Sequence, residues 1–471
     1  MTTAEATPDL TLADHADRAF LGHPKGLAYL AFTEAWERFS YYGMQTLLVL
    51  YMVKYLLLPG HVEHIALMDA FRQLPLYRGL DGQPLASAIF GTYAASVYLT
   101  PILGGLLADR LLGKRRTVIL GGVTMALGHF LMAFDASFLF ALLCMVLGCG
   151  MFKGNIASQV GALYKPDDLR RADAFQIFYL GINGGVIAAP LIVGTLGEKI
   201  GWHWGFGAAG VGMLIGLAIY LAGQTYLPSE HFTAQGKADR ADAPREAMGR
   251  ADWLALVAVL ILIPVMAIAI VPNNQIFNAY LVWGDEKFDL VFFGTRLPTS
   301  FLVTLDAIVS VSFLAIVALF YRWFGKRWKE PDELGKMIIG SIFSIGGMLC
   351  LATAAASAPE AHQKIGLFWP MMFELLNSIG FAHLLPVSLA LFARLAPKAI
   401  NATVIGLYYL AFFAANALVG WVGGFYETMP TPAFWLMHAG FAATAGVVFL
   451  LFRLALAPRL LRAPEPAAAA A

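Results

Sequence analysis

Residues 26–53 read GLAYLAFTEAWERFSYYGMQTLLVLYMV, an apolar stretch that carries three ions, Glu34, Glu37 and Arg38, within five positions. Roughly 20 mostly apolar residues cross a bilayer as a helix. An ion at that depth costs about 2.5–3.5 kcal/mol on insertion scales. Such a helix cannot turn its charged face to lipid. Glu34, Arg38, Tyr41 and Gln45 follow one another at helical spacing and share one face, with Glu37 at its edge. That face must look at partners or at water.

The rest of the chain has the same character. Of 471 residues, 59% are hydrophobic and 13% charged, and the mean hydropathy is +0.67. Soluble domains carry about 25% charged residues, so half the usual charge is missing. The 46 glycines suit membrane helices packed backbone to backbone. A net charge of +1 gives no footing for a nucleic-acid partner. Cys144, Cys149 and Cys350 all lie in apolar runs, which argues against a disulfide framework. The first 24 residues are polar and lack the order of a cleaved signal peptide.

Twelve apolar runs are long enough to span: about 26–53, 87–108, 116–135, 138–160, 174–197, 204–224, 252–282, 299–324, 335–356, 366–393, 401–425 and 434–456. Pro101, Pro190, Pro264, Pro272 and Pro386 are the expected bend points. With both termini placed in the cytoplasm, the cytoplasmic segments hold 23 Lys/Arg and the outer loops 7, so the positive-inside rule selects that orientation. The polar stretch at about 225–251 divides the chain into a six-helix bundle at 1–224 and another at 252–456. Residues 457–471, ending in APEPAAAAA, are expected to be a disordered tail. Two halves of six spans are the architecture of an alternating-access transporter built from repeats. The expected class is an all-α membrane protein.

Between the second and third spans, GGLLADRLLGKRRT (104–117) resembles the signature of the major facilitator superfamily. Four further stretches are similar to motifs of the proton-dependent oligopeptide transporters, the POT family. EAWERFSYYG (34–43) resembles its first-helix motif. GMFKGNIAS (150–158) resembles its fourth-helix segment with an intramembrane lysine, although Gly154 stands where the family usually has proline. FQIFYLGINGGVIAAPLIVG (175–194) resembles its fifth-helix signature, centred on Asn183, and ARLAPKAINAT (393–403) its junction between helices ten and eleven. The resemblance is dense over 26–224 and thinner after 252. It implies the major facilitator fold, with 12 transmembrane helices in two six-helix bundles.

It also implies roles. Glu34, Glu37 and Lys153 would couple protons, and Lys153 and Arg38 would lie near the carboxyl end of a peptide. Tyr42, Tyr98 and Asn183 match pocket residues of the family, and Tyr408 sits where it often has tryptophan. The four ions are nominally neutral together. A proton on either glutamate leaves a cation unpaired for a substrate carboxylate. The plainer alternative is that the ions merely cross-link two helices, and for a lone Tyr or Asn it is helix packing.

The second half departs from the pattern. Where the family commonly has acids on helix seven, the run is VPNNQIF, with Asn273 and Asn274. Its helix-ten glutamate aligns with Phe381. Asp306, in FLVTLDAIVSV (301–311), stands where the family usually has asparagine and is expected to receive the substrate's ammonium. A second proton site and a pairing within the bundle remain open for it. Glu374 and His383 flank the same part of helix ten, where a packing histidine is the commoner case.

The expected function is therefore import of di- and tripeptides by proton symport across a bacterial inner membrane. The expected protein is a monomer with protons as the coupling ion and no cofactor. A carrier of another carboxylated solute, or a transporter-like sensor that binds without transport, stays open. The sequence contains no H-E-x-x-H, G-x-S-x-G or Walker A signature that would suggest an enzyme.

Overall fold

The computed structural model describes residues 17–164, 168–228, 249–396 and 401–455. Both termini, most of the expected linker (229–248) and the expected tail at 457–471 lie outside the described residues. Twelve long helices appear among those described: α1 (Lys25–Tyr51), α2 (Gly82–Leu107), α3 (Lys114–Leu131), α4 (Phe138–Ala162), α5 (Arg170–Ala189), α6 (Trp202–Ala222), α7 (Arg250–Asn274), α8 (Phe301–Phe324), α9 (Glu333–Ser357), α10 (Phe368–Leu395), α11 (Asn401–Gly423) and α12 (Thr431–Ala455). Ten spans are apolar and long enough to cross a membrane. The other two helices are α1, diluted by its three ions, and α3, which begins Lys114-Arg115-Arg116.

One of the prolines coincides with a break and another lies shortly before one. Pro190 ends α5 and opens the wider turns Pro190–Gly194 and Leu196–Ile200. A proline has no N–H to give the carbonyl four residues back, so the ladder loosens there. Pro272 lies near the end of α7, which passes through the tight turn Gln275–Phe277. The chain then turns at Asn278 (φ −126°, ψ −110°) and resumes as the short helix Ala279–Lys287. The seventh span is thus two pieces, where the sequence suggested a single run to 282.

Contacts divide the chain into two units. The first comprises Met1–Tyr51, Leu58–Ala70 and Leu99–Ala243; the second comprises Met52–Leu57, Phe71–Tyr98 and Pro244–Ala471. In the first, α1 packs on α5 and α6. Gly181 and Gly185, one helical turn apart on α5, lie on the backbone carbonyls of Ala31 and Ala35, the small-xxx-small approach of membrane helices. In the second, α9 packs on α10 and α12, and α7 on α11. Its core includes Leu262, Met266, Ile270, Phe392 and Phe449. The early part of α2 belongs to this unit because Gly91 meets Gly420 of α11 backbone to backbone.

A Cβ at Gly185 would overlap the Ala35 carbonyl oxygen and crowd Arg38 Cβ at 3.0 Å, whereas at Gly184 nothing lies within 4 Å. Gly185→Ala is therefore expected to cost about 1–3 kcal/mol, the range for overpacking, and Gly184→Ala to leave stability unchanged. Thermal unfolding of the two purified variants in detergent checks the contrast.

Candidate functional site

In the first unit the ions of α1 form one cluster. Arg38 Nε lies 3.2 Å from Glu34 Oε1 and pairs also with Glu37. Glu34, Glu37 and Arg38 are only 3%, 0% and 3% exposed. Glu34 Oε2, both Glu37 oxygens and two of the guanidinium nitrogens make no well-aligned hydrogen bond among the described residues. The cluster is held by charge more than by fitted hydrogen bonds. The Tyr41 ring sits between the cations, 5.2 Å from the Arg38 guanidinium and 5.9 Å from Lys153 Nζ. Lys153 of α4 is half-buried and its field reaches Glu34. On the same helix Gly150, three residues before Lys153, packs against Gly104 of α2 with no side chain between their backbones.

Sequence reasoning expected Glu34, Glu37, Arg38 and Lys153 together, and the structure brings them together. Tyr42, also named, lies near enough to interact with Arg38 and meets the Tyr41 ring edge-on at 5.2 Å. Cys149, one turn before Lys153 and fully buried, feels all four ions. Its one-turn spacing from Lys153 was the available signal. Asn183 is half-buried on α5 and donates from Nδ2 to the Tyr179 carbonyl at 2.8 Å.

In the second unit, Tyr98 stacks on Phe412 at 5.1 Å and Tyr408 meets the same ring edge-on at 5.4 Å. The Tyr408 hydroxyl shares a 3.0 Å hydrogen bond with Ser388. Phe412, the ring joining the two tyrosines, was not singled out from sequence. Asn274 Nδ2 donates to Asn416 Oδ1 at 3.2 Å, and Asn377 Nδ2 donates to Asn273 Oδ1 at 2.8 Å. The two asparagines that replace helix-seven acids thus tie α7 to α11 and α10 as uncharged cross-links, the interhelical use of amides in membranes.

Asp306 is half-buried on α8 and accepts from Ser310 Oγ at 3.3 Å; Ser310 also bonds Ser378 of α10 at 3.0 Å. Asp306 faces Glu374 of α10, which is fully buried and in turn faces Tyr280. His383 bonds the Ile379 carbonyl of its own helix at 2.8 Å and packs on Tyr321 and Phe343, so it is a packing residue. Asp285 is a hub that sequence reasoning missed. It pairs with Lys54 at 2.6 Å and Arg296 at 2.9 Å, and accepts from Thr299 Oγ1 at 2.8 Å. Its partners lie 231 and 11 residues away, and no local spacing announces such a cluster.

This constellation, ions buried inside a bundle of apolar helices, defines an integral membrane transporter. The POT family model matches residues 115–238 and 245–436. The chain is 32% identical to the uncharacterized transporter YclF of Bacillus subtilis, over 95% of this chain and 96% of that protein. It is 29% identical to the peptide transporter YePEPT of Yersinia enterocolitica, over 86% and 89%. A crystal structure of the peptide transporter POT in complex with sulfate superposes with a TM-score of 0.79 at 28% identity, covering 97% of this chain and 99% of that one. The chain belongs to the POT family, whose members are transporters and not enzymes, and its fold is that of the major facilitator superfamily.

Removing one partner of a buried ion pair leaves the others uncompensated, which costs about 3–5 kcal/mol. Arg38→Ala is expected to lower the thermal midpoint steeply. Arg38→Ala combined with Glu37→Gln, which leaves Glu34 and Lys153 to balance each other, is expected to recover most of the loss, measured by the same unfolding assay.

Proposed function

We propose that the chain is a proton-coupled symporter that imports di- and tripeptides across a bacterial inner membrane by alternating access of its two six-helix halves. The reading rests on the cluster of Glu34, Glu37, Arg38 and Lys153. Empty, the four charges cancel. A proton on Glu34 or Glu37 leaves one positive charge in excess, and a peptide carboxylate beside Lys153 and Arg38 restores neutrality. Proton and substrate therefore stabilise each other's presence, because either alone leaves a net charge in a low-dielectric site. The two glutamates lie against one guanidinium.

The other contacts follow from chemistry. Tyr42, Tyr98, Asn183, Asn274 and Tyr408 offer hydroxyls, amides and aromatic faces. These suit a peptide backbone while tolerating varied side chains. Asp306 supplies the negative charge for the substrate's ammonium. The working protein is a monomer with both termini in the cytoplasm, needing no cofactor because protons are the coupling ion. At about 150 mV, one inward charge supplies roughly 3.5 kcal/mol, enough for several hundredfold accumulation.

A second reading, transport of another carboxylated solute, draws on the neutral cross-links of Asn273 and Asn274, which fill the place of expected acids. Labelled dialanine uptake into proteoliposomes separates the two. Accumulation driven by an imposed inward proton gradient, reduced at least tenfold by Lys153→Gln, supports peptide symport. No accumulation by the folded, correctly oriented protein refutes it. Competition by dialanine but not by its N-acetylated form supports an ammonium site, and Asp306→Asn is expected to abolish that difference. An unchanged preference in Asp306→Asn would remove Asp306 from the role.

A further inference from the structure

Among the described residues of the second unit, two carboxyl groups, those of Asp306 and Glu374, face each other with no cation opposite them. Glu374 is 0% exposed, and its carboxyl faces Asp306 and the Tyr280 hydroxyl. Across the packed elements, the polar groups at hand are Tyr280 on the short helix after α7, Ser310 on α8 beside Asp306, Ser378 on α10 beyond Ser310, and Cys350 of α9 near Tyr280. No lysine, arginine or histidine among the described residues faces either carboxyl. Neither oxygen of Glu374 receives a well-aligned hydrogen bond, and the fully buried Tyr280 hydroxyl has no partner of good geometry.

Ionised carboxyl oxygens only accept hydrogen bonds. Two facing carboxylates would therefore leave acceptor against acceptor, and two like charges would be buried together at a cost neither can offset. One proton held between them cures both faults. It supplies the missing donor and leaves a single negative charge.

We propose that Asp306 and Glu374 share one bound proton, with Tyr280 over Glu374, so that the pair carries one negative charge and forms a site for one primary ammonium group. This rests on the transporter reading and deepens it by naming the device that sets the charge of the amine site. Asp306 is the half-buried member that meets the cation. Glu374, sealed behind it, keeps the proton and orients the Asp306 carboxylate; it is a positioning residue. The net charge matches one ammonium and rejects an acylated amine. As pH falls, a second proton enters from water and discharges the pair, so ammonium affinity drops. Carboxylate recognition at Lys153 and Arg38 does not depend on this step.

The test uses purified full-length protein in lipid nanodiscs. In infrared spectra at neutral pH, wild type minus Glu374→Gln is expected to show a protonated-carboxyl C=O band that shifts in D2O. Absence of that band overturns the proposal. In competition binding, wild type is expected to prefer dialanine over N-acetyl-dialanine at least tenfold at neutral pH and to lose the preference at acidic pH. Glu374→Gln, which mimics the protonated acid, is expected to keep the neutral-pH preference, and Asp306→Asn to lose it. Loss of the preference in a folded Glu374→Gln also overturns the proposal, since Glu374 would then carry the charge itself. Should Glu374→Gln not fold, Asp306→Asn tests the bridge alone: the Glu374 band is expected to move when its partner can no longer share the proton, and an unmoved band counts against it. Wild type that binds with this pattern but shows no gradient-driven uptake refutes the symporter and leaves the shared proton standing. Binding with no preference for the free amine at any pH overturns the pair.

Discussion

A charge inside a bundle of apolar helices survives only opposite another charge, and in the first unit that requirement governs everything around Arg38. Its guanidinium lies between Glu34 and Glu37 on its own helix, so these three groups alone would carry one negative charge in excess. Lys153 of α4 supplies the missing cation and must be brought near. Glycines let the helices around these ions approach closely: the Gly104–Gly150 contact brings α4 up to α2, and Gly181 and Gly185 bring α5 onto α1 beside Arg38. In the absence of a hydrophobic drive between helices in lipid, close backbone packing supplies much of the attraction.

The second unit meets the same constraint with less charge. Where helix-seven acids were expected it has amides, and these are spent on each other: Asn273 with Asn377, Asn274 with Asn416. Amide pairs satisfy buried donors and acceptors without asking for a counter-ion. On α8 and α10 the carboxyls of Asp306 and Glu374 face each other. The two units thus differ in kind. One is a balanced cluster that a proton unbalances; the other is a pair of acids whose charge a proton sets.

The fold was legible because lipid permits few alternatives. Twelve apolar runs had to be helices, and the twelve long helices observed fall on them. The α1 ions were legible for the same reason, since three charges in a span at helical spacing have only one face to share. What could not be read were relations across sequence. Glu374 looked like an isolated acid because its partner lies 68 positions earlier in another helix, and period within a helix says nothing of what the next one presents. Phe412 looked like any phenylalanine of an apolar run until Tyr98 and Tyr408 were both seen against it. Asp285 escaped for the opposite reason: it lies at the end of a span, where an acid needs no explanation, and only the convergence of Lys54, Arg296 and Thr299 gives it one. Pro272 was read as a bend, but the break at Asn278 falls six residues later, after a further turn of tight helix.

That break has a consequence for the acid pair. The helix Ala279–Lys287 carries Tyr280 near its start and Asp285 near its end. Tyr280 is held by rings on several sides, Phe288, Phe373 and Trp435 among them, and Asp285 is held by two cations and a hydroxyl. The nine-residue helix is thus anchored near both ends. Tyr280 is placed by the rings packed directly around it, on a segment set apart from α7 by the turn at Asn278. A buried acid whose proton must stay in place needs its surroundings kept closed, because water reaching Glu374 would solvate the carboxylate and weaken its hold on the shared proton.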